Sequence, residues 1–370
     1  MSELRIVTYS MSALPKEFDN IWNGLLSNLS GDVGSSDISI SYAWVESLIE
    51  TSKIADDSEA IVISDNYSVR AIVPIYHQTH GRFMQSRSIS LTTELYSGRP
   101  NLLISPPEED VFDPLLHYLQ TEKSDWDIFF ISIVDGARTF PLIEAIRKSK
   151  HFNIARYSES TSPYLRLDGN WAKLAAALPK KLRWTIKKSE KNLESIGSIE
   201  YVHYCKSSEV ATFLAAMMTI EGNSWKDDAD SSLTKRSQQF QFYESFLHKA
   251  ANIGWFSGHI LYVDRRPIAH VCGTILNNTF LDMKESYDNS FRKYSPSHVL
   301  KKYVLSTLCE LEVTYFDFMG DCEEYKMRWT SLTYVKASYV IFNKTIKGRL
   351  LFWKFRILEF LRYHQPENQR

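Results

Sequence analysis

Two hydrophobic periods alternate along this chain, and the switches between them predict a protein of mixed helices and strands, an α/β or α+β fold. In the first half, apolar residues alternating or running together predict strands over Leu4–Ser10, Ala60–Ser64, Val69–Tyr76 and Trp126–Val134. Asp65-Asn66-Tyr67 is the turn of a hairpin between the middle pair. The helical period predicts helices over Pro15–Leu29, around Tyr42–Thr51, and over Glu109–Thr121 and Pro141–Lys150.

The second half repeats this grammar. Leu178, Leu182, Ile186, Leu193 and Ile196 share a helical face between Asn170 and Gly197, with Pro179 kinking or dividing the helix. Helices follow over Glu209–Glu221 and Lys235–Ile253, the latter closed by Gly254. Trp255–Val263, Pro267–Leu276 and Thr279–Tyr287 then form a three-strand meander with two short turns. Val299, Leu300, Tyr303, Val304, Leu308 and Leu311 define a strong helix, with Ser295 as expected N-cap and Pro296 at the first helical position. A strand over Val313–Met319, a short helix begun by Asp321 in a capping box with Glu324, and a strand over Tyr334–Asn343 complete the pattern. Hairpins followed by α-β-α-β in both halves imply an architectural duplication with its seam near Ser162-Pro163. The expected domains are 1–162, 163–344 and a helical tail, 345–370.

With 370 residues, two domains are the natural expectation. Lys+Arg 43 against Asp+Glu 44 argues against binding nucleic acid through overall charge. The four cysteines, at 205, 272, 309 and 322, have neither zinc spacing nor the density of a disulfide scaffold. The N-terminus has no signal-peptide pattern, and no window suits a membrane span. A cytoplasmic protein is expected, with no metal. His77-Gln78-Thr79-His80 follows a strand, which disfavours a metal pair there.

The loop Phe291–Ser297 precedes the strong helix. Helix N-terminal N–H groups attract anions, and Arg292 and Lys293 add positive charge. A pyrophosphate is the natural ligand, against the plainer reading of an ordinary capped helix.

Several ordered stretches resemble the GNAT acyltransferase superfamily, specifically its CelD-like branch, related to Fem-type peptidoglycan bridge transferases. They are Leu178-Pro179-Lys180-Lys181-Leu182-Arg183, Glu221-Gly222-Asn223-Ser224-Trp225-Lys226, Phe242-Tyr243, Tyr287-Asp288, Tyr294-Ser295-Pro296-Ser297, and Phe316–Asp321 with Tyr325–Trp329. The similarity covers about residues 163–335 and, more weakly, Trp44 and Arg70–Tyr76. It implies tandem GNAT-like domains, each a mixed, mostly antiparallel sheet flanked by helices. It also implies acyl transfer to an amine from acetyl-CoA, acyl-CoA or an acyl carrier. The chain departs from the branch at Ser297-His298, where glycine is expected.

Such transfer needs a base for the amine and a donor or cation for the carbonyl oxygen. The resemblance places Glu285, Asp288, Asp321, Tyr325 and Lys326 among the catalytic candidates. Arg292, Lys293, Tyr294, Ser295, Ser297 and His298 are the donor-binding candidates, and Glu221, Trp225 and Lys226 the acceptor-side ones. Asp321 as a cap and the other carboxylates as surface charges are the competing readings. Trp225–Leu233 is acidic, which suits a cationic amine. Leu95–Glu109, the corresponding stretch of the first half, resembles no phosphate loop, so one donor site per chain is expected.

Two basic segments add partner candidates. Lys180–Lys191 carries six positive residues and one acid, which suits phosphate-rich donors such as charged tRNA, or simply a solvated helix face. Residues 344–363 interleave six positive residues with Leu, Ile, Phe and Trp, which suits an interfacial helix at an inner membrane face or a helix docked on its own protein. An envelope or exopolysaccharide precursor is the expected acceptor. Fem-like tRNA-dependent aminoacyl transfer and a non-catalytic assembly factor are the alternatives.

Overall fold

The computed structural model describes residues 4–15, 17–27, 37–52, 54–80, 85–92, 96, 102–134, 141–167, 169–228 and 232–363. The stretch read above as the first half's counterpart of the phosphate loop, and the tip of the acidic 225–233 loop, lie partly outside them. In chain order the elements are β1 (Arg5–Ser10), α1 (Phe18–Ser27), α2 (Tyr42–Thr51), β2 (Ser58–Ser64), β3 (Val69–His80), β4 (Ser86–Leu91), β5 (Leu103–Ile104), α3 (Glu109–Thr121), β6 (Ile128–Val134), α4 (Pro141–Ser149) and β7 (Asn153–Arg166). They continue with α5 (Trp171–Ala177), α6 (Lys180–Glu194), β8 (Ile199–Tyr204), α7 (Val210–Gly222), α8 (Trp225–Asp228), α9 (Ser237–Asn252), β9 (Phe256–Val263), β10 (Arg266–Leu276) and β11 (Thr279–Tyr287). Last come α10 (Pro296–Glu310), β12 (Tyr315–Asp317), α11 (Glu324–Met327), β13 (Thr333–Phe342) and α12 (Ile346–Tyr363).

These elements form two compact units, each discontinuous in sequence. One holds Met1–Leu29, Lys53–Glu159 and Lys336–Arg370, and the other Ser30–Ser52 and Ser160–Val335. In the first unit β1, β2, β3 and β4 pair antiparallel in series. β4 then pairs parallel with β6, and β6 antiparallel with β13. The second unit repeats this. β8, β9, β10 and β11 are antiparallel neighbours, β11 runs parallel to β12, and β12 pairs antiparallel with the end of β7. The duplication expected from the order of elements is therefore present as two mixed, mostly antiparallel sheets flanked by helices.

Burial follows the helical and strand periods. In the first unit Leu115 and Leu119 of α3 and Ile143 of α4 cover Ile61, Val73, Ile89 and Phe129. In the second, Leu182, Ile186 and Leu193 of α6 and Val299, Leu300, Val304 and Leu308 of α10 cover Leu261, Val271, Phe280 and Phe316. Helix α2 belongs to the second unit for an aromatic reason. The buried Trp44 ring meets Phe242 and Phe246 of α9 edge-on, with centroids 4.7 and 4.9 Å apart.

Some local expectations change. Pro179 divides the long helical stretch into α5 and α6. Ser295 does not cap α10 through its side chain; it takes a left-handed conformation (φ 50°) and turns the chain into Pro296. Asp321 does not begin a helix either. α11 starts at Glu324 after Glu323, with no side-chain cap. Ser162-Pro163, read as a seam, lies inside β7, whose polar run Ser158–Ser162 hides the strand period. Among the described residues no helix is long and apolar enough to cross a membrane.

Candidate functional site

The second unit holds a cavity of about 590 Å³ where its sheet opens. Hydrogen bonding between β11 and β12 ends at the pair Leu281–Asp317, while β11 runs on to Tyr287. The six residues from Asp282 to Tyr287 therefore line the cavity along one wall. Arg292, Ser295, Pro296, Ser297, His298 and Lys301 supply a second wall from the start of α10. Phe318, Met319, Gly320, Tyr325, Lys326, Arg328 and Trp329 form the third, with Trp225 and Lys226 at the remaining side.

A β-bulge sets the chemistry of this wall. The register of β10 against β11 shifts between Cys272 and Gly273, which pair with Lys284 and Asp282, so Met283 is the extra residue. In an unbroken strand Asp282 and Glu285, three apart, would point to opposite faces. The bulge brings both to the α10 face, where the Lys301 ammonium lies 2.6 Å from Asp282 Oδ2 and 2.6 Å from Glu285 Oε2. Gly273, opposite the bulge, has no room for a Cβ beside Phe280 and the Leu281 carbonyl. The Lys301 side chain is 4% exposed and also faces the rings of Phe316 and Phe318 at 4.7 and 5.2 Å.

Charge within this triad is unevenly held. Burial raises the Asp282 carboxyl to about 6; Glu285 adds to the rise and Lys301 opposes it. Glu285 goes the other way: burial works against its ionisation, but the Lys301 charge and hydrogen bond outweigh it. Lys301 stays protonated because its two carboxylates overcome its own desolvation. Asp282 Oδ1 is buried and has no hydrogen-bond partner among the described residues, and Ser286 Oγ shares that condition. Both atoms belong to residues of the cavity wall, where a bound molecule or water would satisfy them.

A second network lies behind the same strand, on the α7 side. Glu221 is fully buried, 3.1 Å from His270 Nε2, 3.8 Å from Lys226 Nζ and 3.9 Å from Lys284 Nζ. Burial would raise its carboxyl, but the His270 hydrogen bond and the neighbouring charges hold it down at about 2. Lys284 is pulled down to about 8 by desolvation, against the Glu221 charge. Lys226 Nζ donates to the Glu285 carbonyl at 2.5 Å, which ties this network to the cavity wall.

The structure thus brings Glu285, Tyr325, Lys326, Arg292, Ser295, Ser297, His298, Trp225 and Lys226 to one cavity. Tyr325 hydrogen-bonds Glu285, and desolvation with that carboxylate's charge raises its pKa well above the ordinary value. Lys326 is buried and anchored to the Met319 and Asp321 carbonyls at 2.9 and 3.3 Å and to Glu323 at 2.5 Å. Gly320, at φ 60°, leaves space for that ammonium. Burial and the nearby Arg328 lower the His298 imidazole, which favours its neutral form.

The other candidates stand elsewhere. Asp288 is buried and caps the turn Asn289–Tyr294 through Ser290 N and Oγ, at 2.9 and 2.6 Å, while pairing with Arg266 at 2.6 Å. Asp321 is exposed and offers its backbone carbonyl to Lys326. Glu221 does not line the cavity; it faces Lys226 and Lys284, which do. Lys293 and Tyr294 lie in the turn beside the cavity, the ammonium 4.9 Å from the Tyr294 ring. Asp227 is engaged by Ser232, Thr234 and Lys235 within its own loop. Sequence reasoning missed Asp282, Lys284, Lys301 and Arg328. Lys301 was the available signal, because a lysine inside a buried helical face demands carboxylate partners.

Among the described residues no group of three or more His, Cys, Asp or Glu side chains could hold a metal ion. The lining does fit an anionic acyl donor. Arg292 and Arg328 supply cations, and α10 has no acidic residue in its first turn.

No curated protein matches the chain in sequence. Among solved structures, FemX superposes with a TM-score of 0.60 at 12% identity, covering 86% of this chain and 95% of that one. A conserved protein of unknown function from Bacteroides thetaiotaomicron VPI-5482 gives 0.58 at 13% identity, covering 92% and 100%. The C-terminal domain of a putative lysylphosphatidylglycerol synthetase from Agrobacterium fabrum gives 0.51 at 11% identity, covering 91% and 94%. At these identities the likeness is one of fold. The family described as Acetyltransferase (GNAT) domain matches residues 180–327, the stretch that builds most of the cavity. GNAT domains use acetyl-CoA or acyl-CoA as donor. Residues 180–327 therefore carry a GNAT acetyltransferase domain, and the cavity lies largely within it.

Proposed function

We propose that the protein is an N-acyltransferase that moves an acyl group from a thioester donor, acyl-CoA or an acyl carrier, to an amine. The carrying observation is Asp282: a buried carboxylate with a raised pKa, one oxygen held by Lys301 and the other unpartnered on the cavity wall. An amine must lose a proton to become a nucleophile, and a carboxylate titrating near 6 is matched to that task. Lys301, itself held by Glu285, fixes its orientation. Beyond Leu281 the edge of β11 is unpaired with β12, which supports an extended donor chain running along it with its carbonyl oxygen toward backbone N–H groups. Tyr325 keeps its proton over the working pH range and can donate it to a leaving thiolate. The Arg292–Ser297 loop and the α10 N-terminus would hold the donor's phosphates.

Trp225 and Lys226 stand on the acceptor side. An amine on an envelope or exopolysaccharide precursor, met in the cytoplasm, is the acceptor this reading favours. A second reading, aminoacyl transfer from charged tRNA, draws support from α6. Lys180, Lys181, Arg183, Lys187, Lys188 and Lys191 are all exposed on that helix, around a Trp184 ring that is itself 60% exposed. α6 packs against α10 and the Asn289–Tyr294 turn, so this basic face borders the donor loop.

Calorimetric titration of the purified protein with coenzyme A, and separately with aminoacylated tRNA, separates the readings. Saturable coenzyme A binding that Arg292→Ala weakens supports the thioester donor. Binding of tRNA alone, lost on neutralising the α6 lysines, would transfer the assignment to the second reading.

A further inference from the structure

Helix α12 presents two apolar faces, and its own protein covers one. Leu351, Phe352 and Phe355 pack against Ala155, Val340 and Phe342 of the first unit. The Phe342 ring lies 5.4 and 5.8 Å from those of Phe352 and Phe355. The helix start is fastened there as well. Thr345 Oγ1 donates to Asp127 Oδ1 at 2.7 Å and accepts from Gly348 N at 2.9 Å, and a Cβ on Gly348 would run into the Asn343 carbonyl. α12 is a docked element with a fixed orientation.

Its outer face is the unexplained feature. At about 100° per residue, Ile346, Leu350, Trp353, Ile357 and Phe360 fall within roughly 80° of arc. They are 82%, 53%, 64%, 57% and 61% exposed, an apolar stripe from Ile346 to Phe360. Isolated exposed apolar side chains are ordinary, but a contiguous ridge is not. Cations flank it on both sides, Lys347 and Lys354 along one edge and Arg349 and Arg356 along the other, all exposed. The one acid of the helix, Glu359, is paired with Arg356 at 2.8 Å.

We propose that this stripe is a peripheral docking site for an anionic lipid bilayer. The charge pattern selects that occupant. An apolar ridge edged by long basic side chains sinks into the headgroup boundary while the ammonium and guanidinium groups reach out to lipid phosphates. Docking would hold the acyltransferase against a membrane surface, where an amine on a lipid-linked precursor is at high local concentration.

The test is co-sedimentation of the full chain with phosphatidylcholine vesicles and with vesicles containing phosphatidylglycerol, at low and high salt. Binding to the anionic vesicles, reduced by salt, is expected. Leu350→Ser with Ile357→Ser should weaken it about tenfold or more, by removing apolar area that would be buried in the membrane. Lys354→Glu should weaken it about fivefold or more. Thermal unfolding should not change in either variant, since both leave the packed face intact. Failure of the wild type to bind, or equal binding by the variants, overturns the proposal. So does a wild-type dimer that the serine variant converts to monomer without vesicle binding, which would make the stripe an interface between copies. None of these results depends on whether the acyl-transfer reading holds.

Discussion

Replacing Lys301 with methionine probes the buried triad most sharply. Methionine fills a similar volume, so the change removes charge and two hydrogen bonds without opening a cavity. Each contact to Lys301 is a 2.6 Å charge-assisted hydrogen bond. Deleting one partner of a buried ion pair costs about 3–5 kcal/mol, because the remaining charge is stranded. Here two carboxylates would face each other, so the upper part of that range is expected at pH 8. The loss must shrink in acid. Asp282 already has a folded pKa raised to about 6 from 3.8, so the folded state takes up its proton more readily than the unfolded chain does. Stability linked to such a group is present at low pH and declines as pH rises from about 4 through the folded pKa. Without Lys301 the carboxyl rises further, so the variant's deficit should be small near pH 4 and full at pH 8. Scanning calorimetry at both pH values measures it. A variant as stable as the wild type at pH 8, or a deficit independent of pH, would refute the assignment of Lys301 as the cation holding Asp282 and Glu285.

The remaining predictions concern the neighbouring network and the donor. Glu221 is held at about 2 against an ordinary 4.5, so its stabilisation is present above pH 4.5 and lost as pH falls toward 2. Glu221→Gln should therefore cost roughly 3 kcal/mol at pH 7 and roughly 2 kcal/mol less than that at pH 3, read from urea midpoints. Arg292→Ala should weaken coenzyme A binding by about 1–3 kcal/mol by calorimetry. The same titration should give one site per chain. In the first unit α3, the helix that follows β5, opens with Glu109 and Asp110, which repel an anion where α10 attracts one.

Much of this fold is legible in the residues. The meander β9–β11, with its short turns, and the proline-started α10 follow from period and turn chemistry alone. The resemblance of Phe316–Asp321 and Tyr325–Trp329 to the GNAT branch pointed to Tyr325 and Lys326, and both line the cavity. Three features resisted for physical reasons. Asp282 and Glu285 have opposite parity on a regular strand, and only the bulge at Met283 unites them, a backbone event decided by Gly273 on the facing strand. α2 joins the second unit through Trp44 and α9, a contact between segments nearly two hundred residues apart that no local period encodes. β7 carries a polar stretch where a strand should alternate, so its period does not show, although the units divide within it, between Glu159 and Ser160, near the seam read at Ser162-Pro163. The carboxylates Asp288 and Glu221 carried the right chemistry for a site, but burial and their partners commit them to holding a turn and two lysines.

Amine-dependent release of free thiol from acyl-CoA by the purified protein tests the central claim most directly. The account predicts thiol release that requires an amine acceptor and rises with pH through about 6, as Asp282 gives up its proton. Asp282→Asn should lower it by about 10²–10⁴-fold, the range of a lost general base, with coenzyme A binding retained. Release that is indifferent to the amine, or an Asp282→Asn protein as active as the wild type, would contradict it.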